Sequence, residues 1–304
     1  MDCGEDQIVL CAGLLTVISL MGQLFQGRCK AVALEEPSYD IVRNIFQNMG
    51  YEIDPIPLTE EGLDMEALQK SNAGLIYITP SHQFPSGTVM SVNNRIKLIQ
   101  WAKDTDAYII EDDYDSEYRY NSKPLPSLQS LDHLDRVIYI NTFSKSLAPG
   151  LRMDYMVLPR ELKAQYDLHF SSYGCTVPIL TQLALAEFMA DGFWQRHLRR
   201  MTQENKKIHD TLVEEIRKQM GSGVSIQGNN AWLHFLLAVH NGMTEGELIS
   251  SAEEKGVLVY PVSQYYCKKP KENNRVLIGF GGLEPEKIQE GVRGLKEAWF
   301  GQDF

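Results

Sequence analysis

No run of lysine and arginine interleaved with aromatic residues occurs in this chain, and its 29 basic side chains are outnumbered by 40 acidic ones, for a formal charge of −11. A surface of that sign repels phosphate backbones, which argues against nucleic-acid binding through these residues. Cysteine is sparse as well. Cys3, Cys11, Cys29, Cys175 and Cys267 are odd in number and scattered, with no CxxC pair and no ligand spacing to histidine. No metal site is therefore expected, and a reducing cytoplasm fits best. The apolar stretch at residues 10–25 is interrupted by Gly13, Thr16, Ser19, Gly22 and Gln23. It is short for a bilayer span, so a buried helix is expected and no membrane partner. The leader Met1-Asp-Cys-Gly-Glu-Asp6 is acidic, whereas a secretory signal begins with positive charge. Internal repeats and long flexible linkers are also absent.

What is present is a globular composition: 43% hydrophobic and 23% charged residues in a chain of 304. That length exceeds the usual size of one compact core, so a large domain with a smaller one is expected. Short β-rich runs at residues 7–10, 31–34, 52–55, 75–79, 107–110, 137–141 and 155–158 alternate with stretches of helical period. The alternation predicts an α/β fold with a mostly parallel, doubly wound sheet. Helical pattern dominates 161–220, broken near 174–178 and 191–192. Further runs at 224–227, 233–238, 257–260 and 275–280, separated by helical stretches near 244–254 and 285–299, predict a smaller α+β domain. The expected boundaries are 1–195 for the large domain and 196–304 for the connecting helix and small domain.

In open α/β sheets the ligand crevice lies at the carboxyl ends of strands, and three predicted strands run into polar loops there. The run at 137–141 leads into Thr142-Phe-Ser144-Lys145, with Arg152 seven residues on. A lone loop lysine is usually an ordinary surface lysine. At a strand end beside an apolar crevice, however, its amine can attack a carbonyl to form a Schiff base and afterwards carry a proton. Asp112, within Glu111-Asp-Asp-Tyr-Asp115, offers the carboxylate that a pyridoxal phosphate ring nitrogen needs to stay protonated. Tyr114, two residues on, is expected on the same face of an extended segment, in reach of the ring's phenolic oxygen. The same acidic run also reads as a solvated loop or a divalent-metal site, although it lacks the glycine and distal glutamate of a calcium loop. Phosphate would find donors in Arg152, Thr142, Ser144 and the N–H groups of a helix expected to open at Gly13. Tyr39 either stacks on the ring or is a buried structural tyrosine.

These residues, in this order, resemble the pyridoxal-phosphate-dependent aminotransferases of class I/II, with fold-type I architecture, along nearly the whole chain. Three segments carry the likeness: Thr79-Pro-Ser-His-Gln-Phe-Pro-Ser-Gly87, Ile110-Glu-Asp-Asp-Tyr-Asp-Ser-Glu-Tyr-Arg-Tyr120 and Thr142-Phe-Ser-Lys-Ser-Leu-Ala-Pro-Gly-Leu-Arg152. Together they look like one branch, the aminotransferase-like domain of MocR-type regulators of the GntR superfamily. The resemblance implies Lys145 as the Schiff-base lysine, Asp112 as partner of the pyridine nitrogen, Tyr114 as partner of the phenolic oxygen and Tyr39 as the stacking residue. It implies Thr142 and Arg152 as phosphate ligands, with Ser144 and the backbone at Gly13 and Leu14 beside them. A homodimer and an amino acid or other small amine as substrate are also implied.

The sequence departs from the family pattern in several places. Gly13 is followed by Leu14-Leu15 rather than a hydroxyl- and glutamine-rich turn, leaving backbone donors and Thr16 to grip phosphate. A glycine common two residues after the phosphate arginine is Asp154 here. Where many transaminases carry a carboxylate-binding arginine on a late strand, this chain has Leu277, with Arg275 one pleat away on the same face. The resemblance also begins partway into the family's domain, without a winged helix. Two functions follow as expectations. One is an aminotransferase working through Lys145 between an amino acid and a keto acid. The other is a non-catalytic domain sensing pyridoxal phosphate or amino compounds in a MocR-type regulator.

Overall fold

The computed structural model describes residues 3–115, 125–228, 233–268, 270 and 273–301. Residues 116–120 of the acidic motif lie outside this range. The chain divides into two compact units, the first ending at residue 196 and the second comprising 197–304 together with a short excursion at 85–87.

The first unit is built from β1 (Ile8–Cys11), α1 (Leu14–Leu24), β2 (Ala31–Glu36), α2 (Asp40–Asn48), β3 (Glu52–Thr59), β4 (Gly62–Leu63), α3 (Met65–Leu68), β5 (Leu75–Ile78), α4 (Val92–Asp104), β6 (Tyr108–Asp112), α5 (Leu128–Leu131), β7 (Val137–Thr142), β8 (Asp154–Val157), α6 (Arg160–Phe170) and α7 (Ile179–Ala190). Its strands form one sheet in the order β1-β8-β7-β6-β5-β2-β3-β4. Strands β7, β6, β5, β2 and β3 are mutually parallel, and only β8 and β4 run against them. The doubly wound α/β architecture read from the sequence is what the chain adopts.

Period-two alternation sorts the strands' apolar side chains onto two faces. Val32, Leu34, Tyr77, Ile110, Ile138, Ile140 and Met156 pack with α1, α2 and α6. Ala33, Ile76, Ile78, Ile109 and Val137 pack with α3 and α4. Both faces are apolar because both are covered, which is why these strands read as near-continuous hydrophobic runs. Helix α4 starts where the Ser91 side chain accepts from the Asn94 N–H, a cap that satisfies one orphan donor.

Helix α8 (Phe193–Met220) runs on into the second unit, which adds β9 (Val224–Gln227), β10 (His234–Val239), α9 (Glu245–Glu254), β11 (Tyr260–Pro261), β12 (Arg275–Gly279) and α10 (Pro285–Phe300). The sheet β11-β12-β10-β9 is antiparallel and packs Val239, Phe235, Val276 and Ile278 against Leu248 of α9 and Leu295 of α10. Thr244 and Glu247 close a capping box at the start of α9. The strand expected at 257–260 is shorter than the sequence suggested, for a local reason. Gly256 adopts φ +75, the Gly256 N–H donates to Glu253 O and the Val257 N–H donates to Ala252 O. This is the Schellman ending of α9, and it uses the backbone that a strand ladder would need.

Candidate active site

The strand ends that the sequence pointed to meet at one edge of the large sheet. Asp112 closes β6 in register with Ile140 of β7. Two residues further along β7, Thr142 faces Asp154, the first residue of β8, which also pairs with Cys11 at the end of β1. By alternation Asp112, Thr142 and Asp154 share a sheet face.

The acidic run Glu111-Asp-Asp113 is sorted by the same alternation. Glu111 turns to the opposite face, where it accepts the Leu128 and Gln129 N–H groups at the start of α5 and lies 3.6 Å from the fully buried Arg95 of α4. Arg95 also donates to the carbonyls of Met90, Pro80 and Pro126. Breaking such a buried pair typically costs about 3–5 kcal/mol, so Glu111 is a structural carboxylate. Asp113 accepts from the Tyr139 hydroxyl at 2.8 Å. Asp112 alone of the three faces the site, and it accepts the hydroxyl proton of Tyr77 at 2.5 Å. Burial pushes the Asp112 carboxyl up to about 7, opposed by the Tyr77 bond, with Asp154, Asp113 and Asp115 raising it further. A buried carboxyl this poorly compensated by cations is poised to accept a cationic N–H.

Beyond Thr142 the chain makes a single turn in which the Leu147 N–H donates to Phe143 O. Phe143 anchors it between Tyr155 and Trp194, with ring centroids 5.6 Å from each. Ser146 is buried, and Lys145 stands exposed between these anchors. Packed neighbours thus hold Lys145 just past the end of β7, the strand beside the one that carries Asp112.

A place for an anion lies nearby. Gly13 caps α1 with φ +90, and a Cβ built there would fall 2.3 Å from Arg152 Nη2. Only glycine allows the guanidinium to lie this close to the helix start, where the first-turn N–H groups lack intrahelical acceptors. Arg152 itself is held at φ +46. The Ser144 hydroxyl oxygen is buried without a hydrogen-bond partner. A guanidinium, a helix N-terminus and an orphaned buried hydroxyl together fit a phosphate group. Thr142 is engaged differently from expectation: its hydroxyl donates to Asp154 Oδ1 at 2.6 Å and accepts the Ser144 N–H at 3.0 Å.

Tyr114 is not placed by an extended segment, because β6 ends at Asp112 and residues 114–115 form a turn. Its position is set by His82, which meets Asp115 at 2.8 Å and the Tyr114 hydroxyl at 3.1 Å through Nδ1, while the hydroxyl donates to His82 O. Burial, then Asp115 and Asp112, hold the Tyr114 phenol well above its ordinary range. Tyr39 is the N-cap of α2 and packs edge-on against Phe84 at 5.5 Å. Burial raises its phenol, Asp40 and Asp112 raise it further and Arg152 lowers it. Arg275 opens β12 in the second unit and is exposed.

Sequence reasoning did not identify Tyr77 or His82, nor Glu35, which accepts from the Thr79 N–H, the Thr79 hydroxyl and Gln83. Burial raises the Glu35 carboxyl to about 7. The signal for Tyr77 was present in the alternation of β5, which puts it on the Asp112 face. The His82–Asp115 contact joins residues 33 apart and leaves no local pattern. Among the described residues no cluster of three or more His, Cys, Asp or Glu side chains could hold a metal ion, and no helix is long and apolar enough to cross a membrane.

The sequence profile of aminotransferase class I and II matches residues 3–295. The HTH-type transcriptional regulator YdeL of Bacillus subtilis (strain 168) is 41% identical over 297 residues, covering 98% of this chain and 64% of that protein. The MocR protein of Rhizobium meliloti, a rhizopine catabolism regulator by its name, is 30% identical over 298 residues, 98% of this chain and 60% of its own length. The chain thus spans a little under two thirds of the length of these regulators. Among solved structures, LysN, an α-aminoadipate aminotransferase from Thermus thermophilus complexed with N-(5'-phosphopyridoxyl)-L-leucine, superposes with a TM-score of 0.86 at 26% identity, covering 97% of this chain and 77% of that one. Fold and profile agree: the chain belongs to the class I and II aminotransferases, a family whose cofactor is pyridoxal phosphate.

Proposed function

We propose that this chain is an aminotransferase-like domain that binds pyridoxal phosphate through Lys145 and moves amino groups between an amino acid and a keto acid. The observation that carries the reading is the placement of the buried Asp112 at the end of β6 and of the exposed Lys145 in the turn after the adjacent parallel strand β7. Bound cofactor supplies an aldehyde and a ring that takes up the electron pair left when an amino acid loses its Cα proton. In this reading the Lys145 amine would hold the aldehyde by condensing with it and expelling water, and once displaced by the amino acid would carry that proton. Asp112, itself held by Tyr77, keeps a proton on the ring nitrogen. Tyr114, whose hydroxyl donates to His82 O in this structure, would offer that hydroxyl to the phenolic oxygen instead, Tyr39 would lie against the ring, and Arg152, Ser144 and the backbone at Gly13 and Leu14 would hold the phosphate.

A second reading is favoured by the kinship with regulators: the same groups bind an amino compound without turnover and report its presence. Mixing cofactor-loaded protein with a panel of amino acids, with and without a keto acid acceptor, separates the two. Amino acid formed from the acceptor supports the aminotransferase. A change of the visible spectrum without new amino acid selects the sensor, and no change with any amine overturns both.

The partner implied is a second copy. Helix α7 buries only Leu185, while Ile179, Leu180 and Leu183 are 63%, 77% and 57% exposed. A row of apolar side chains left in water on one helix marks an association surface. Sedimentation of the protein at micromolar concentration is expected to show a dimer that Leu180→Glu converts to monomer. A wild-type monomer would refute the pairing.

A further inference from the structure

The geometry points to Asp154 as the residue that sets how strongly this site distinguishes phosphorylated from unphosphorylated pyridoxal, by opposing the phosphate. The inference rests on the cofactor reading above and concerns a position where a carboxylate replaces the glycine common in the resembling family. Asp154 is 3% exposed and lies in register with Thr142 on one side and Cys11 on the other, one residue before the Ala12-Gly13 turn that opens α1. Its Oδ1 accepts a hydrogen bond from the Thr142 hydroxyl at 2.6 Å. Thr142 also accepts the Ser144 N–H, so in this arrangement neither its proton nor that amide is offered to an anion. Burial raises the Asp154 carboxyl, opposed by the Thr142 bond and by the attraction of Arg152 two residues away, and that attraction offsets part of the guanidinium charge lying over Gly13. What remains for a doubly charged phosphate is the helix start, the Ser144 hydroxyl and a partly neutralised arginine.

The carboxylate lies beside the phosphate donors Thr142 and Arg152 and also repels Asp112, so its removal should raise affinity for pyridoxal phosphate by much more than it changes affinity for pyridoxal. Repulsion between like charges in a partly buried setting is equivalent to roughly ten- to a hundredfold in affinity. The experiment is a titration of the protein with pyridoxal phosphate and, separately, with pyridoxal, followed by visible absorbance. It compares wild type with Asp154→Asn, which keeps an acceptor for Thr142 without the charge, and Asp154→Gly, which also frees Thr142. Expected is an affinity for pyridoxal phosphate at least tenfold higher in Asp154→Asn, higher still in Asp154→Gly, with pyridoxal affinity changing by less than threefold and retained pyridoxal binding serving as the check that both variants fold. Unchanged or weaker pyridoxal phosphate binding in Asp154→Asn, with pyridoxal binding intact, would overturn the assignment. If neither compound develops visible absorbance with any of the three proteins, the cofactor reading itself fails.

Discussion

Replacing Lys145 with alanine is expected to abolish the visible absorbance of cofactor-loaded protein and to lower any Cα proton transfer by about 10²–10⁴-fold, the usual worth of a positioned proton carrier. The effect should be confined to chemistry. Lys145 is exposed, while the packing of its turn rests on Phe143 and Ser146, and surface substitutions of this kind typically shift stability by no more than about 0.5 kcal/mol. Lys145→Arg sharpens the test. Arginine retains the positive charge, but its guanidinium is always protonated and cannot serve as a nucleophilic amine. Both variants should therefore lose the colour, and only the arginine variant keeps the site's charge. Colour retained by Lys145→Ala, measured after removal of unbound cofactor, would transfer the attachment to another residue.

How far the site could be read from sequence follows from the range of the interactions. Lys145, Arg152 and Gly13 could be proposed from sequence because each sits at its own strand-to-turn or turn-to-helix junction, and local chemistry is enough to mark such junctions. Asp112 was visible as an acid at a strand end, but its distinction from Glu111 needed the sheet. Only once α4 and α5 cover the opposite face does Glu111 become the partner of Arg95 and two backbone amides. Tyr114 was expected in the site for a reason that the fold does not supply, since the alternation invoked for it ends at Asp112 and His82 does the placing. Asp154 stood out as a departure from pattern, yet its consequence depends on the register that sets it against Thr142. In the second unit, the run at 257–260 has strand-like composition, but the end of α9 claims the Val257 N–H first. The misreadings share a cause: each required knowing which backbone or side-chain group a neighbouring element had already taken.

Asp112→Asn is expected to preserve the fold and the bound cofactor while removing the proton from the ring nitrogen. The amide is isosteric and its oxygen can still accept the Tyr77 hydroxyl, which now meets Asp112 at 2.5 Å. Stability should not suffer. The unloaded protein's Asp112 carboxyl is raised from 3.8 to about 7 by burial, so its contribution to stability is fully present below about 4 and is lost as pH rises through about 7. A neutral amide escapes that loss, and at pH 8 the unloaded variant should resist urea at least as well as wild type. Function is where the cost falls. An opposite-charge pair about 4 Å apart at an effective dielectric of 20 is worth about 4 kcal/mol, or roughly a thousandfold in the rate of a step that depends on it. The direct readout is the nitrogen chemical shift of ring-labelled cofactor, protonated in wild type and unprotonated in the variant, alongside exchange of the amino acid Cα proton with deuterium. Should the variant keep a protonated ring nitrogen, the charge opposite that atom comes from elsewhere, and Asp112 is a structural carboxylate like its neighbour Glu111.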